Sequence, residues 1–235
     1  MSLSQLDSRP ALVDQVHDRL LAAVIDGTLA PGQRVTQDDL AGMLGVSRQP
    51  VSHAIQVLRR RGLLVDAGKR GVAVAPIDGA RIRDLYQVRS SLDGLAAELA
   101  AGRCATGDAT RSEIAALRAA LDAGGREAAT ASPASLALLV DADVAFHSAL
   151  YRLSGNTAIV ETVAEQWPHF RRSMRQVLEG TDIVRRVWRE HAAILAAVVA
   201  GSAAEAGQLA RAHAANAATD TVHRLAKTIA PATSE

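Results

Sequence analysis

Cysteine is almost missing from this chain of 235 residues, with Cys104 its only example. An intramolecular disulfide is therefore excluded, and a lone thiol fits a reducing compartment. Long apolar runs are missing as well. The stretch from Ala192 to Ala200 falls far short of the ~20 residues that span a bilayer, and the opening MSLSQLDSRP lacks the basic segment and apolar run of a secretory signal. The expectation is a cytoplasmic protein that does not enter a membrane. Aromatic residues make up only 3% of the chain, against 49% hydrophobic and 22% charged residues overall. Few rings and very common alanine argue against a strand-rich fold and for helix. The length accommodates two modest domains, each with its own core.

A surplus of one charge is also lacking, because the net charge is +1, but the distribution is uneven. Residues 1–42 hold three Arg against six Asp, a balance of −3, whereas residues 43–76 hold Arg48, Arg59, Arg60, Arg61, Lys69 and Arg70 against Asp66 alone, a balance of +5. One short basic stretch is what a phosphate-facing surface requires; a solvated basic helix end is the alternative.

Apolar spacing predicts a helix over 10–26, through Val13, Val16, Leu20 and Val24, and a turn at Leu29-Ala30-Pro31-Gly32. A second helix opens on Thr36-Gln37-Asp38-Asp39, a capping box with Asp in the place of Glu, carries Leu40, Met43 and Leu44 inward, and stops at Gly45. A third begins after Ser47 as N-cap, tolerates Pro50 in its first turn, and buries Val51, Ala54, Ile55 and Leu58. Leu63-Leu64-Val65 and Val72-Ala73-Val74 then read as a hairpin around a basic, glycine-containing loop. From residue 79 onward all segments read as helix: 79–102, 108–124, 133–154, 156–178, 181–200 and 202–228. The fold class expected is mostly α, a winged helix-turn-helix with a small β-hairpin wing at 1–76, an antiparallel six-helix bundle at 77–230, and a disordered tail at 231–235.

A helix, a glycine turn and a capped basic helix can dock in the major groove, the N-terminus of the second helix facing base edges. Ser47, Arg48 and Gln49 occupy that N-terminus; Arg48 suits guanine and Gln49 adenine. Lys69 and Arg70 at the hairpin tip can reach the minor groove or phosphates. The run LAPGQRVTQDDLAGMLGVSRQPVSHAIQVLRRRGLLVDAGKRGVAV resembles the N-terminal domain of the GntR family of bacterial regulators. Its matching parts are the PG turn, LA..LGVSR.PV, the L..RGL corner and the basic glycine wing. Members of that family often carry Arg-Glu after the Pro-Val, where this chain has Ser52-His53. The resemblance therefore implies an altered contact at Ser52, with His53 either a phosphate donor or a plain surface residue.

In the second half, Asp143 and His147 are four residues apart and share a helix face. His191 and His213 lie ten and twelve residues either side of Gly201, ~15 and ~18 Å from that turn at 1.5 Å per residue, so their rings reach nearly the same height on adjacent helices. Three imidazoles and a carboxylate converging in a bundle suit a first-row divalent metal, with ordinary core histidines as the alternative. The runs DLYQVRSSLDGLAAELA, DVAFHSALYRLSGN and REHAAILAAVVAGSAAEAGQLARAHAANA are similar to the FCD ligand-binding domain of FadR-type GntR regulators. A count of six helices resembles the smaller, VanR-like subgroup. The resemblance implies that Asp143, His147, His191 and His213 hold a divalent metal (zinc, with nickel and manganese as alternatives) and that Arg89 meets the carboxylate of a small organic acid. Arg171, Arg172 and Asn216 are further candidates for the effector pocket. The function expected is a DNA-binding transcription regulator, a repressor and not an enzyme, which as a homodimer occupies a pseudo-palindromic operator under control of that acid. The alternatives are a metallohydrolase using the same four residues, or a DNA-binding protein whose bundle only dimerises.

Overall fold

The computed structural model describes residues 12–68, 71–130, 136–178 and 181–229. The expected helix start at Pro10, the wing-tip pair Lys69 and Arg70, and the tail 231–235 lie outside the described residues. The chain divides into two compact units, Met1–Pro76 and Ile77–Glu235.

The first unit runs α1 (Leu12–Asp26), β1 (Arg34–Thr36), α2 (Gln37–Leu44), α3 (Arg48–Arg60), β2 (Leu64–Asp66) and β3 (Gly71–Val74). The expected stripes meet in one core: Val16, Leu20 and Val24 of α1 join Val51, Ala54, Ile55 and Leu58 of α3. The capping box opens α2, with the Asp39 N–H donating to Thr36 Oγ1 at 3.1 Å and the Thr36 N–H donating to Asp39 Oδ2 at 3.0 Å. Met43 departs from expectation. It stands 71% exposed, while Leu40 and Ala41 supply the buried face of α2. The hairpin is also wider than expected, because β1 pairs antiparallel with β3 to give a three-stranded sheet in the order β1-β3-β2.

The second unit is helical among the described residues: α4 (Gly79–Thr106), α5 (Arg111–Thr130), α6 (Leu136–Leu153), α7 (Thr157–Ala164), α8 (Trp167–Val177), α9 (Thr181–Val199) and α10 (Ala203–Ile229). Seven helices stand where six were expected, because the segment 156–178 is two helices. Pro168 sits in the first turn of α8; an uninterrupted helix would leave it without an N–H to donate and press its ring on the carbonyl of Ala164. The helix count thus gives no ground for assigning the smaller subgroup. α4 packs along α10, and at this seam the bare backbone of Gly94 lies under Arg211 while that of Gly207 lies under Glu98. Arg211 and Glu98 form an ion pair across the two helices. α9 and α10 are joined at Gly201, where φ is 73° and a side chain would press on Ala105, so glycine is required on both counts. No helix among the described residues is long and apolar enough to cross a membrane.

Candidate metal centre and DNA-facing surface

Helix α6 is apolar on most sides, and its buried positions include Leu139, Val140, Asp143, Phe146, His147 and Leu150. The spacing that buries Leu139 therefore also drives Asp143 and His147 into the core. The α9–α10 hairpin brings His191 and His213 to the same level. All four residues are at least 95% buried, and one donor atom from each lies within 4.8 Å of the others. His191 Nε2 is 3.3 Å from His147 Nε2 and 3.2 Å from His213 Nε2. Asp143 Oδ1 lies 3.5 Å from His191 Nε2, and its Oδ2 lies 3.8 Å from His147 Nε2.

The imidazole spacings fit a metal ion, and the Asp143 oxygens, at 3.5 and 3.8 Å, stand somewhat farther out. Donors about 2.0–2.1 Å from a common centre stand roughly 2.9–3.4 Å apart, between octahedral and tetrahedral edges. The hydrogen bonding fits too. His213 Nδ1 meets Glu190 Oε2 at 2.7 Å, which places its proton on Nδ1 and leaves a lone pair on Nε2. His147 Nδ1 lies 3.5 Å from Asp93 Oδ2. His191 Nε2 has one proton at most to share between two facing nitrogens, and the buried Asp143 Oδ2 has no hydrogen-bond partner. A cation at the centre removes this conflict. Burial, reinforced by Arg89 and the neighbouring imidazoles, holds His147 and His191 well below the usual histidine range, so both are neutral donors at neutral pH. Burial raises Asp143, against the pull of Arg89.

Arg89, 2% exposed, stands beside this cluster. Its Nε is 3.3 Å from Asp93 Oδ2 and its Nη2 is 3.9 Å from Asp143 Oδ2. The rings of Phe170, Trp167 and Tyr86 surround the guanidinium at 4.8, 5.2 and 5.5 Å. Burial opposes its charge, but Asp93 together with Tyr151, Tyr86 and Asp143 outweighs that and keeps it protonated. Arg89 Nε has no hydrogen-bond partner. Arg89, Asp143 and His213 line a cavity of about 30 Å³, closed by Tyr86, Met174 and residues of α9 and α10.

The other pocket candidates go elsewhere. Arg171 forms an ion pair with Asp141 at the surface. Arg172 is buried but does not line the cavity. Asn216 is exposed and donates to Glu190 Oε1 at 2.9 Å, supporting His213 from behind. Sequence reasoning passed over Asp93, Tyr151 and Glu190. Tyr151, which donates to Asp93, lies four residues past His147, and Asp93 lies four past Arg89; these spacings were the available signal.

On the first unit, Ser47, Arg48, Gln49 and His53 are exposed at the start of α3, and Ser52 is half-buried. Ser47 is the N-cap residue, but its side chain makes no capping hydrogen bond. Arg48 is not free: it forks onto Asp38 of α2, with Nη2 donating to Oδ2 at 2.9 Å and Nε to Oδ1. Arg59 likewise pairs with Asp66 of β2. Two cations of α3 are thus matched by the protein's own carboxylates.

Residues 84–216 match the FCD domain, and residues 12–74 match the bacterial regulatory proteins of the gntR family. An HTH-type transcriptional regulator in an unstable DNA locus of Streptomyces ambofaciens is 30% identical over 84% of this chain and 80% of its own length. The HTH-type transcriptional regulator YdhC of Bacillus subtilis (strain 168) is 30% identical over 40% of this chain, a match that spans 42% of that protein. Among solved structures, a transcriptional regulator described as GntR from Rhodococcus sp. RHA1 is similar at a TM-score of 0.75 and 27% identity, over 91% of this chain and 99% of that one.

Proposed function

The chain belongs to the GntR family of bacterial transcription regulators, with an FCD domain behind its winged helix, and from that premise we propose that it is a cytoplasmic repressor whose operator affinity is set by a small carboxylic acid bound beside a divalent metal. The convergence of Asp143 and three imidazole Nε2 atoms beside the buried Arg89 carries this reading. Asp143, His147, His191 and His213 would hold the metal, and a bound divalent ion supplies an electrophilic position for a carboxylate oxygen.

The protein's own groups do the rest. Arg89, whose Nε already faces Asp93, offers the charge of its guanidinium to the other oxygen of the acid. Glu190 orients His213 through a hydrogen bond, and the Asp93 carboxylate faces Nδ1 of His147 at 3.5 Å. The aromatic wall of Tyr86, Trp167 and Phe170 excludes water and strengthens the ion pair. Arg89 sits on α4, which opens at Gly79 directly after the boundary between the units. An acid that draws on Arg89 therefore acts on the helix that leads out of the DNA-binding unit, and differential binding of this kind is typically worth about 1–3 kcal/mol of coupling.

A homodimer presenting two α3 helices to a pseudo-palindromic operator is the arrangement proposed for DNA. The family comprises regulators and not enzymes, so hydrolysis at the four-residue cluster is set aside. The test is fluorescence anisotropy on a duplex enriched from a random library, with and without chelation and a panel of small acids. The reading expects one class of acid to change affinity at least fivefold, and only in metal-replete protein. Affinity that ignores both metal and acids would support a bundle that only dimerises.

A further inference from the structure

The cavity beside Arg89 constrains its occupant more narrowly than the reading above, on which this inference rests. Its charged end is formed by Arg89, Asp143 and His213. Ala217 lies one turn further along α10, and Asp220 and Thr221 lie seven and eight residues beyond His213, about 10–12 Å along the helix. Between these ends the wall is apolar, formed by Met174, Leu178, Ile183 and Val187.

Arg89 is the only lysine or arginine among the described lining residues. Asp220, at the far end, is paired with Arg186, which does not itself line the cavity. A first carboxylate therefore finds a cation. A second would lose its water against four apolar side chains or meet the Asp220 carboxylate, and an unpaired buried charge is strongly disfavoured. At about 30 Å³ the space is close to the needs of one or two waters, so the body of the occupant must be slim or the wall must yield.

We infer that the effector is a short monocarboxylic acid with an apolar body, and that di- and tricarboxylic acids are rejected at this site. Rejection comes from Asp220 and the dry wall, while the one cationic end, Arg89 beside the metal site, takes the one carboxylate.

The experiment is calorimetric titration of the full, metal-loaded chain with pentanoate and with glutarate, which have equal carbon counts, at a pH where both are fully ionised. Pentanoate should bind roughly 30-fold more tightly than glutarate, and Asp220→Asn should narrow that ratio at least about fivefold. Glutarate equal to or tighter than pentanoate would overturn the inference while leaving a carboxylate effector intact, and so would an unchanged ratio in a folded Asp220→Asn variant. If neither acid binds a chain shown to carry metal, this inference falls, and the wider panel of acids decides the carboxylate reading. Should Asp220→Asn not fold, the comparison in the unaltered chain decides.

Discussion

The carboxylate of Glu190 lies 2.7 Å from Nδ1 of His213, on the ring edge opposite the Nε2 that faces His191 at 3.2 Å. That contact fixes the tautomer and the tilt of the ring, and partners of this kind typically influence metal affinity 10- to 100-fold. Glu190→Ala is therefore expected to weaken metal binding by about that factor, measured by competition with a chromogenic chelator, with the urea midpoint of the chelated protein little changed. Unaltered affinity would detach Glu190 from the site.

Gly124 and Gly125, adjacent on α5, should respond oppositely to alanine. A side-chain carbon at 124 would occupy the space of the Trp188 ring, whereas one at 125 meets nothing within 4 Å. Gly124→Ala should cost about 1–3 kcal/mol through overpacking, and Gly125→Ala should gain up to about 1 kcal/mol from helix propensity. Trp188 also meets the His191 ring edge-on at 4.8 Å, so the first variant, and not the second, should loosen metal binding. Urea unfolding checks the energies.

Arg103 gathers three helix ends by donating to Glu113 Oε1 at 2.9 Å, to the Leu153 carbonyl at 2.6 Å and to the Asp108 carbonyl at 3.0 Å. Arg103 foremost, with the N–H and hydroxyl of Thr110, lowers the Glu113 carboxyl from 4.5 to about 2. A depressed folded-state value means the contribution is complete above pH 4.5 and disappears as pH falls through about 2. Glu113→Gln should thus cost about 1 kcal/mol at pH 7, the worth of a cap in a partly exposed place, and little once the pH is below about 2. A pH series of unfolding midpoints tests this; a difference that persists in acid would contradict it.

The fork between Arg48 and Asp38 makes a prediction about DNA. Asp38→Ala removes a negative charge from the face that carries Arg48 and releases that cation. It should raise duplex affinity and steepen the dependence of log K on log salt by about one ion, while Arg48→Ala should weaken binding and flatten it. Anisotropy titrations over a salt range supply both numbers. Weaker binding in Asp38→Ala would assign Asp38 to positioning Arg48.

Much of this was legible along the chain, for physical reasons that differ by element. The Thr36–Asp39 box and the α3 stripe are local patterns, decided within one turn or one helix face. Asp143, His147, His191 and His213 could be brought together because a four-residue step and near-equal distances from Gly201 depend only on helix geometry. β1 was not visible, since three residues with one buried side chain carry no period, and its pairing with β3 is a tertiary event. The break between α7 and α8 was signalled by Pro168 but submerged in a long helical pattern. Glu190, Asp93 and Tyr151 act through the rotation of one helix against another, which spacing along a single helix does not encode. Arg171 illustrates the same limit: one position from the buried Arg172, it faces Asp141 instead of the cavity.

The most direct test of the metal centre is elemental analysis of the chain purified without chelators or added metal, set beside His191→Ala and the distant control His223→Ala. One divalent ion per chain is expected in the unaltered protein and in the control, with loss of that ion in His191→Ala. A metal-free chain that also fails to take up zinc, nickel or manganese on titration would contradict the account, as would equal metal content in all three proteins.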